Sequence, residues 1–373
     1  MESLTFLSFE MQMTEQYLRE KTFGPAPASP NSANLNTPID ASRGVANAIV
    51  QELLRRGARV LGAMLKPNGP SATAVNASPK VLASLAVKAL VDEAELTPKP
   101  ALVDARGPGA QADLSLSLMR RSAQSLAPFF ELMALTSLEQ IPTQTLREEL
   151  GTIGRWAEHA MLACTGQVNT HRGAIWSLGL LVSAAAMGAA SPEAIVETAR
   201  QLACLPDANA PKQQSQGLPL APQYKAIGAR GEAQAGFPSV IAAGLPSLHL
   251  SRQVDESETL ARLNALLTIM ARLDDTCLLR RGGLAALKIA QDGAASILEA
   301  GGVATPEGWR LLQQLDRLLL TLQGSPGGSA DMLSATIFLD YVSRIEELKY
   351  KENFTGPESA RSSGPRGRTI LIL

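Results

Sequence analysis

The sequence predicts an all-α protein, a multi-helix globular bundle in which Gly-rich polar loops form the site, flanked by poorly ordered termini. Three observations carry this reading. Aromatic residues are only 4 % of the chain and Ala and Leu take their place, which favours helices over a pleated surface built from β-branched and aromatic side chains. Apolar residues recur at helical spacing between recognisable start and stop signals. No run of useful length alternates as a strand would, and no segment repeats at a fixed period.

The elements follow in order. Residues 1–75 read as an N-terminal extension, rich in Pro, Asn, Ser and Ala around Pro25 to Pro38, with one helical patch from Gly44 to Leu65. Val81 to Leu96 places Leu82, Leu85, Ala86, Ala89 and Leu90 on one stripe. Leu146 to Thr165 forms a second stripe, and Gly166 stops it as a C-terminal cap. Gly173 to Pro192 contains no charge. Its Gly, Ala and Ser content suits a buried core helix better than a membrane span. Ser191-Pro192-Glu193 and Thr305-Pro306-Glu307 are helix starts, in which the hydroxyl takes free amides, Pro fits the first turn and Glu favours the positive end. Leu260–Leu273, Leu284–Leu298 and Trp309–Leu322 supply further helices, and residues 206–222 form a Pro- and Gln-rich linker. The helical catalytic domain is expected over 76–352, followed by a disordered tail over 353–373.

Bulk properties exclude several classes. Lys plus Arg is 34 against 35 for Asp plus Glu, so there is no basic excess of the kind nucleic-acid binders carry. Cys164, Cys204 and Cys277 are odd in number and too widely spaced for a zinc motif, which suits a reducing compartment. Glu2 and Glu10 surround the first apolar residues, unlike a secretory leader. A cytoplasmic protein without membrane or nucleic-acid partners is expected.

Five loops are not explained by a helical core. They are Thr97 to Asp104 with Gly107, Gly109, Gln111 and Asp113; Val168 to Trp176; Gly228 to Ala233 with Gly236-Phe237-Pro238; Asp274-Asp275-Thr276 with Arg280-Arg281-Gly282-Gly283; and Gly324 to Asp331. Glycines let backbone amides approach an anion, and a helix N-terminus adds free N–H groups and its dipole. Arg172, Arg230 and Arg280 can neutralise phosphate oxygens in bidentate fashion. Asp104, Asp113, Glu232, Asp275 and Asp331 can hold magnesium, which takes a few carboxylates plus phosphates and waters. Each loop alone also fits an ordinary turn and cap. His171 suits either a structural hydrogen bond or acid–base chemistry. His159 and His249 read as structural, and Cys277 as an inert thiol.

Taken in order and spacing, the loops resemble the triphosphoribosyl-dephospho-CoA synthase family. The resemblance runs from residue 80 to 345 and is carried by Thr97-Pro98-Lys99-Pro100 with Leu102-Val103-Asp104, Gly109-Ala110 with Asp113, Asn169 to Gly173, Gly228 to Glu232 with Gly236-Phe237-Pro238, Asp275-Thr276 with Arg281-Gly282-Gly283, and Pro326 to Asp331. Val168–Leu181 and Ser325–Asp340 look closest to the branch serving malonate decarboxylase rather than citrate lyase. Two positions depart from the family pattern: Ala101 stands where Gly is usual, and Gln111 where His is usual.

The resemblance implies a pentosyltransferase that uses ATP and 3′-dephospho-CoA, releases adenine, and feeds the acyl-carrier prosthetic group made by a downstream transferase pathway. It implies magnesium, with Asp113, Asp275 and Asp331 as ligands. Catalytic roles fall to Asp104, Glu232, Asp275 and Asp331. Substrate binding falls to Lys99, Asn169, His171, Arg172, Arg230, Arg280, Arg281, Gly327, Gly328 and Ser329. Two other readings remain: a magnesium-dependent hydrolase resembling ADP-ribosylglycohydrolases, suggested by Asp274-Asp275-Thr276, and a non-enzymatic helical scaffold. Ser329 is the expected N-cap of the last core helix, which puts Asp331 in its first turn for a gain of roughly 0.3–1 kcal/mol from the dipole.

Overall fold

In a computed structural model, the structure describes residues 77–210, 228–254 and 257–354. The expected extension, its helical patch at 44–65 and most of the tail lie outside the described residues, as does the linker beyond residue 210. Among the described residues there is no strand, only one isolated bridge between Asp104 and Gly107. None of their helices is long and apolar enough to cross a membrane.

The helices in chain order are α1 (Pro79–Glu95), α2 (Leu116–Ser125), α3 (Ala127–Ser137), α4 (Gln144–Thr165), α5 (Arg172–Ala186) and α6 (Pro192–Cys204). After the undescribed segment come α7 (Gly228–Gln234), a π-helical turn (Val240–Gly244), α8 (Leu245–Val254), α9 (Glu258–Met270), α10 (Thr276–Glu299), α11 (Pro306–Thr321) and α12 (Gly327–Phe354). Their starts follow the sequence signals closely. Ser191 Oγ takes the Ala194 N–H at 3.2 Å and Thr305 Oγ1 takes that of Gly308 at 2.9 Å. Gly166 ends α4 in the left-handed conformation.

Two helices organise the core. The charge-free stretch becomes α5, whose Leu178, Leu181, Val182 and Ala184 are fully buried and which packs on α1, α3, α4, α6, α7 and α12. Burying each large aliphatic side chain contributes about 1.5–3 kcal/mol. The apolar side chains of α12, among them Leu333, Ile337, Phe338 and Leu339, are buried against α1, α5, α9 and the π turn. The starts of α5 and α12, each preceded by a polar loop, are thereby packed together.

The helix expected over Leu284–Leu298 forms; Gly283 (φ 67°, ψ −166°) kinks the chain between it and the preceding turns of α10. One expectation is corrected. Ser329 does not cap α12, because the helix already starts at Gly327 and the Ser329 hydroxyl is engaged elsewhere.

Candidate active site

Asp275 joins the N-termini of two helices. As N-cap of α10, its Oδ1 accepts the amides of Cys277 (2.8 Å) and Leu278 (3.3 Å). The same oxygen accepts from the Gly328 amide at 3.2 Å, and Oδ2 takes the Ser329 amide at 2.7 Å and hydroxyl at 2.9 Å. A Cβ on Gly328 would stand 2.9 Å from Asp275 Oδ1, so the missing side chain admits this approach. Five donors fill the roughly four lone-pair sites of a carboxylate. Burial nonetheless raises the Asp275 carboxyl above its ordinary range, against those donors.

Asp331, one turn into α12, lies beside Asp275 and Glu93. Burial holds its carboxyl well above the usual carboxylate range; the neighbouring Glu93 and Asp275 charges push it further, and the Ala174 N–H opposes them. Gly173 makes room for it, since a Cβ there would come 2.1 Å from Asp331 Oδ2. This corrects the expected local stabilisation: repulsion and desolvation outweigh a dipole gain of that size.

Glu93 closes α1 and is 3 % exposed. Its Oε1 takes the Lys99 ammonium at 2.5 Å, and its backbone carbonyl takes the same ammonium at 2.6 Å. Lys99 is 1 % exposed, and an ion pair this deep persists only with such satisfaction. The residue was missed by sequence reasoning, yet it has a signal: it continues the stripe Leu82, Ala86, Ala89 and Leu90, where a carboxylate has no structural reason to sit.

His171, the N-cap position of α5, is buried with Nδ1 2.8 Å from Ser122 Oγ, which in turn lies 2.6 Å from Thr170 Oγ1. Its Nε2 is buried without a hydrogen-bond partner. Burial, helped by the Lys99 charge, lowers its pKa to about 3. The ring is therefore neutral at physiological pH, available as a hydrogen-bonding group and not as an imidazolium acid.

Residues 79–350 match the family described as ATP:dephospho-CoA triphosphoribosyl transferase. The chain belongs to that family. It is 54 % identical to a probable 2-(5″-triphosphoribosyl)-3′-dephosphocoenzyme-A synthase of Pseudomonas fluorescens, over 70 % of this chain and 91 % of the relative. It is 51 % identical to the synthase of Klebsiella pneumoniae, over 70 % of this chain and 94 % of that protein. A probable synthase of Azotobacter vinelandii is 53 % identical over 71 % of this chain and 91 % of its own length. No solved structure matches the chain.

On this member of the transferase family, the expected site residues divide by position. Lys99, His171, Asp275, Asp331 and Gly327-Gly328-Ser329 come together with Glu93 at the head of α5 and α12. Arg280 and Arg281 follow on α10, close enough to Cys277 to oppose the rise of its thiol; burial drives that rise, to about 12, and Asp275 and Asp331 add to it. Gln111 bridges two of the loops: it donates to Ser325 Oγ at 2.9 Å and accepts from Arg281 Nη2 at 2.8 Å. An amide can do both at once. Glu232 is buried, takes the Ser239 amide at 2.6 Å, and is raised by that burial. It lines a cavity of about 300 Å³ with Gly228, Ser239, Arg272 and Asp274.

The remaining expected residues have other attachments. Asp104 is buried beneath Arg106, whose Nε lies 3.0 Å from Oδ2, and it also takes the Lys99 amide at 2.8 Å. Asp113 is exposed. The exposed Asn169 accepts the Arg172 amide at 3.2 Å, and the Arg172 side chain pairs with Glu158. Arg230 is exposed on α7.

The donor set tests the implied magnesium. Among the described residues no group of three or more His, Cys, Asp or Glu side chains is arranged to hold a metal ion. Asp275 has no lone pair to spare. Asp331 and Glu93 do fit an ion that takes one or two carboxylates and completes its shell with substrate phosphates.

Proposed function

We propose that this chain is a 2-(5″-triphosphoribosyl)-3′-dephospho-CoA synthase. The N9–C1″ bond of ATP breaks, the dephospho-CoA 2′-oxygen bonds to C1″, the hydroxyl proton leaves to a base, and adenine departs protonated. The carrying observation is the buried Asp331, set between Glu93 and Asp275 and held far from its ordinary pKa. Among the described residues no cation pairs with this carboxylate, and an oxocarbenium-like ribosyl centre would be such a partner.

In this reading Asp331 faces the developing cation, and Asp275 positions the first turn of α12. The buried Nε2 of His171 hydrogen-bonds substrate, with the ring held by Ser122. Lys99 holds Glu93 in place beside the centre through their buried ion pair. Gly327 and Gly328 present amides toward phosphate, and Arg280 and Arg281 add charge. Magnesium, held by Asp331 and Glu93 with the triphosphate, would neutralise the phosphates. Glu232, in its adjoining cavity, is the candidate proton acceptor from the 2′-hydroxyl, its raised pKa suiting that exchange.

Residues 76–352 form the catalytic unit in this proposal, supported by the family match over 79–350. The product serves the acyl-carrier prosthetic group of malonate decarboxylase, which Val168–Leu181 and Ser325–Asp340 favour over citrate lyase. ATP supply places the reaction in the cytoplasm. Incubation with ATP, magnesium and dephospho-CoA, followed by chromatography, tests the core reading. Adenine release that depends on dephospho-CoA supports it; equal release without dephospho-CoA makes the protein a hydrolase.

A further inference from the structure

Arg147 and Arg155 stand two turns apart on one face of α4, and Asp207, just beyond α6, lies between them. Its Oδ2 accepts from Arg155 Nη1 at 2.8 Å and is 3.5 Å from Arg147 Nη1. Gly151, midway, admits this carboxylate, because a Cβ there would come 2.1 Å from it. Arg147 is only 4 % exposed, and its guanidinium lies over the Trp176 ring, 4.7 Å from the centroid.

This group is not complete in charge or in hydrogen bonding. Arg147 Nε and Trp176 Nε1 are both buried and without a hydrogen-bond partner. Burial pushes the Arg147 guanidinium down; Asp207 and Glu148 oppose that fall, while Arg230 and Arg155 deepen it. Three guanidiniums thus face two carboxylates, and Glu148 is already shared with Gln144 and the Ala208 amide. Buried donors without acceptors are costly, so an acceptor-rich anion is the complement.

The group also adjoins the carboxylate centre. Arg230 follows Ala229, whose Cβ lies 3.7 Å from the position a Gly173 Cβ would take, and that same position abuts Asp331. We propose that Arg147, Arg155 and Arg230, with Trp176 behind them, bind a phosphate group of a phosphoanhydride beside Asp331. The anion competes with Asp207 for the arginine forks and supplies the acceptors that Arg147 and Trp176 lack. The identity of the ligand rests on the functional reading above; the existence of the site does not. Two sources share this chemistry, the triphosphate of ATP and the diphosphate of dephospho-CoA.

The test titrates inorganic tripolyphosphate into the full-length protein by calorimetry and compares the double variant Arg155→Ala, Arg230→Ala. Arg155 is 28 % exposed and Arg230 is exposed, so the variant is expected to fold, and its melting temperature checks this. Loss of two charge-assisted forks should weaken binding by about tenfold or more. A variant with Lys at both positions, which keeps charge but not the planar fork, should fall between. Steady-state kinetics then identify the source. A raised KM for ATP alone assigns the triphosphate; a raised KM for dephospho-CoA alone assigns the diphosphate. Undiminished tripolyphosphate affinity in the double Ala variant, or no binding to the wild type, overturns the site. A wild type that releases no adenine overturns the functional reading and leaves the calorimetric result to stand alone.

Discussion

Asp275 grips Ser329 twice, through the amide at 2.7 Å and the hydroxyl at 2.9 Å. The same carboxylate caps α10, so one buried side chain sets the start of α10 against that of α12. Because Asp331 sits in the turn that follows Ser329, the placement of Asp331 in the proposed site depends on a residue that need not touch substrate.

Asp275→Asn is expected to lose about 3–5 kcal/mol of stability, since an amide forces an N–H against other donors in a buried network. Ser329→Ala removes one charge-assisted bond and should lose only about 1.5–3 kcal/mol. Denaturant titration of both variants checks the ranking. Equal losses would mean that the hydroxyl, and not the carboxylate, organises the junction.

Asp331→Asn should separate activity from stability. A carboxyl whose folded pKa is raised binds protons more readily in the folded state, so its ionisation destabilises the fold as pH rises above the unfolded value of about 3.9. The variant should be at least as stable as the wild type at pH 7, with the gap closing toward pH 4. Adenine release should fall on the order of 100-fold or more. Near-native turnover would remove Asp331 from the chemistry.

Lys99→Met should be severely destabilising, by about 3–5 kcal/mol, because it strands Glu93 in the core. Adding Glu93→Gln to it should recover part of that loss. A double-mutant cycle on unfolding free energies measures the coupling, and additive losses would contradict a direct buried pair.

His171 should contribute no limb to the pH–rate profile between pH 5 and 8, since its pKa is lowered to about 3. His171→Gln should lower the rate without changing the profile's shape. The same shift bears on stability. A folded pKa below the unfolded value of about 6.5 means that stability is present above pH 6.5 and is lost progressively as pH falls toward 3. Loss of a limb near pH 6.5 in the variant would show that the ring titrates in the working enzyme.

Much of the fold was legible because its helix ends carry explicit chemistry. Ser191, Thr305 and Gly166 each announce a boundary through a hydrogen bond or a backbone angle that their own type provides. The break at Gly283 was legible as a boundary, because Arg281-Gly282-Gly283 interrupts the apolar pattern, and Gly283 takes the positive φ that its type permits. In the site, loops that alternate Gly with acids exposed Asp275 and Asp331. Glu93 stayed hidden because a single acid in an apolar stripe becomes meaningful only when Lys99 is brought beneath it. The attachment of Asp104 to Arg106 was equally hidden: residues two apart face each other only because the chain reverses between Asp104 and Gly107. Ala101 shows the opposite case. Its left-handed φ of 53° is what the family's usual Gly at that position would lead one to expect.

Gly173 and Gly328 give the centre an unusual vulnerability. Each leaves a gap one methyl wide, and a carboxylate fills it, Asp331 in one case and Asp275 in the other. Every polar group of the site could therefore survive intact in a protein that has lost its function through the gain of one carbon and two hydrogens. Scans that shorten side chains to alanine pass over such positions. How closely the two carboxylates approach is encoded by what these two residues lack, and an inventory of functional groups would leave them out.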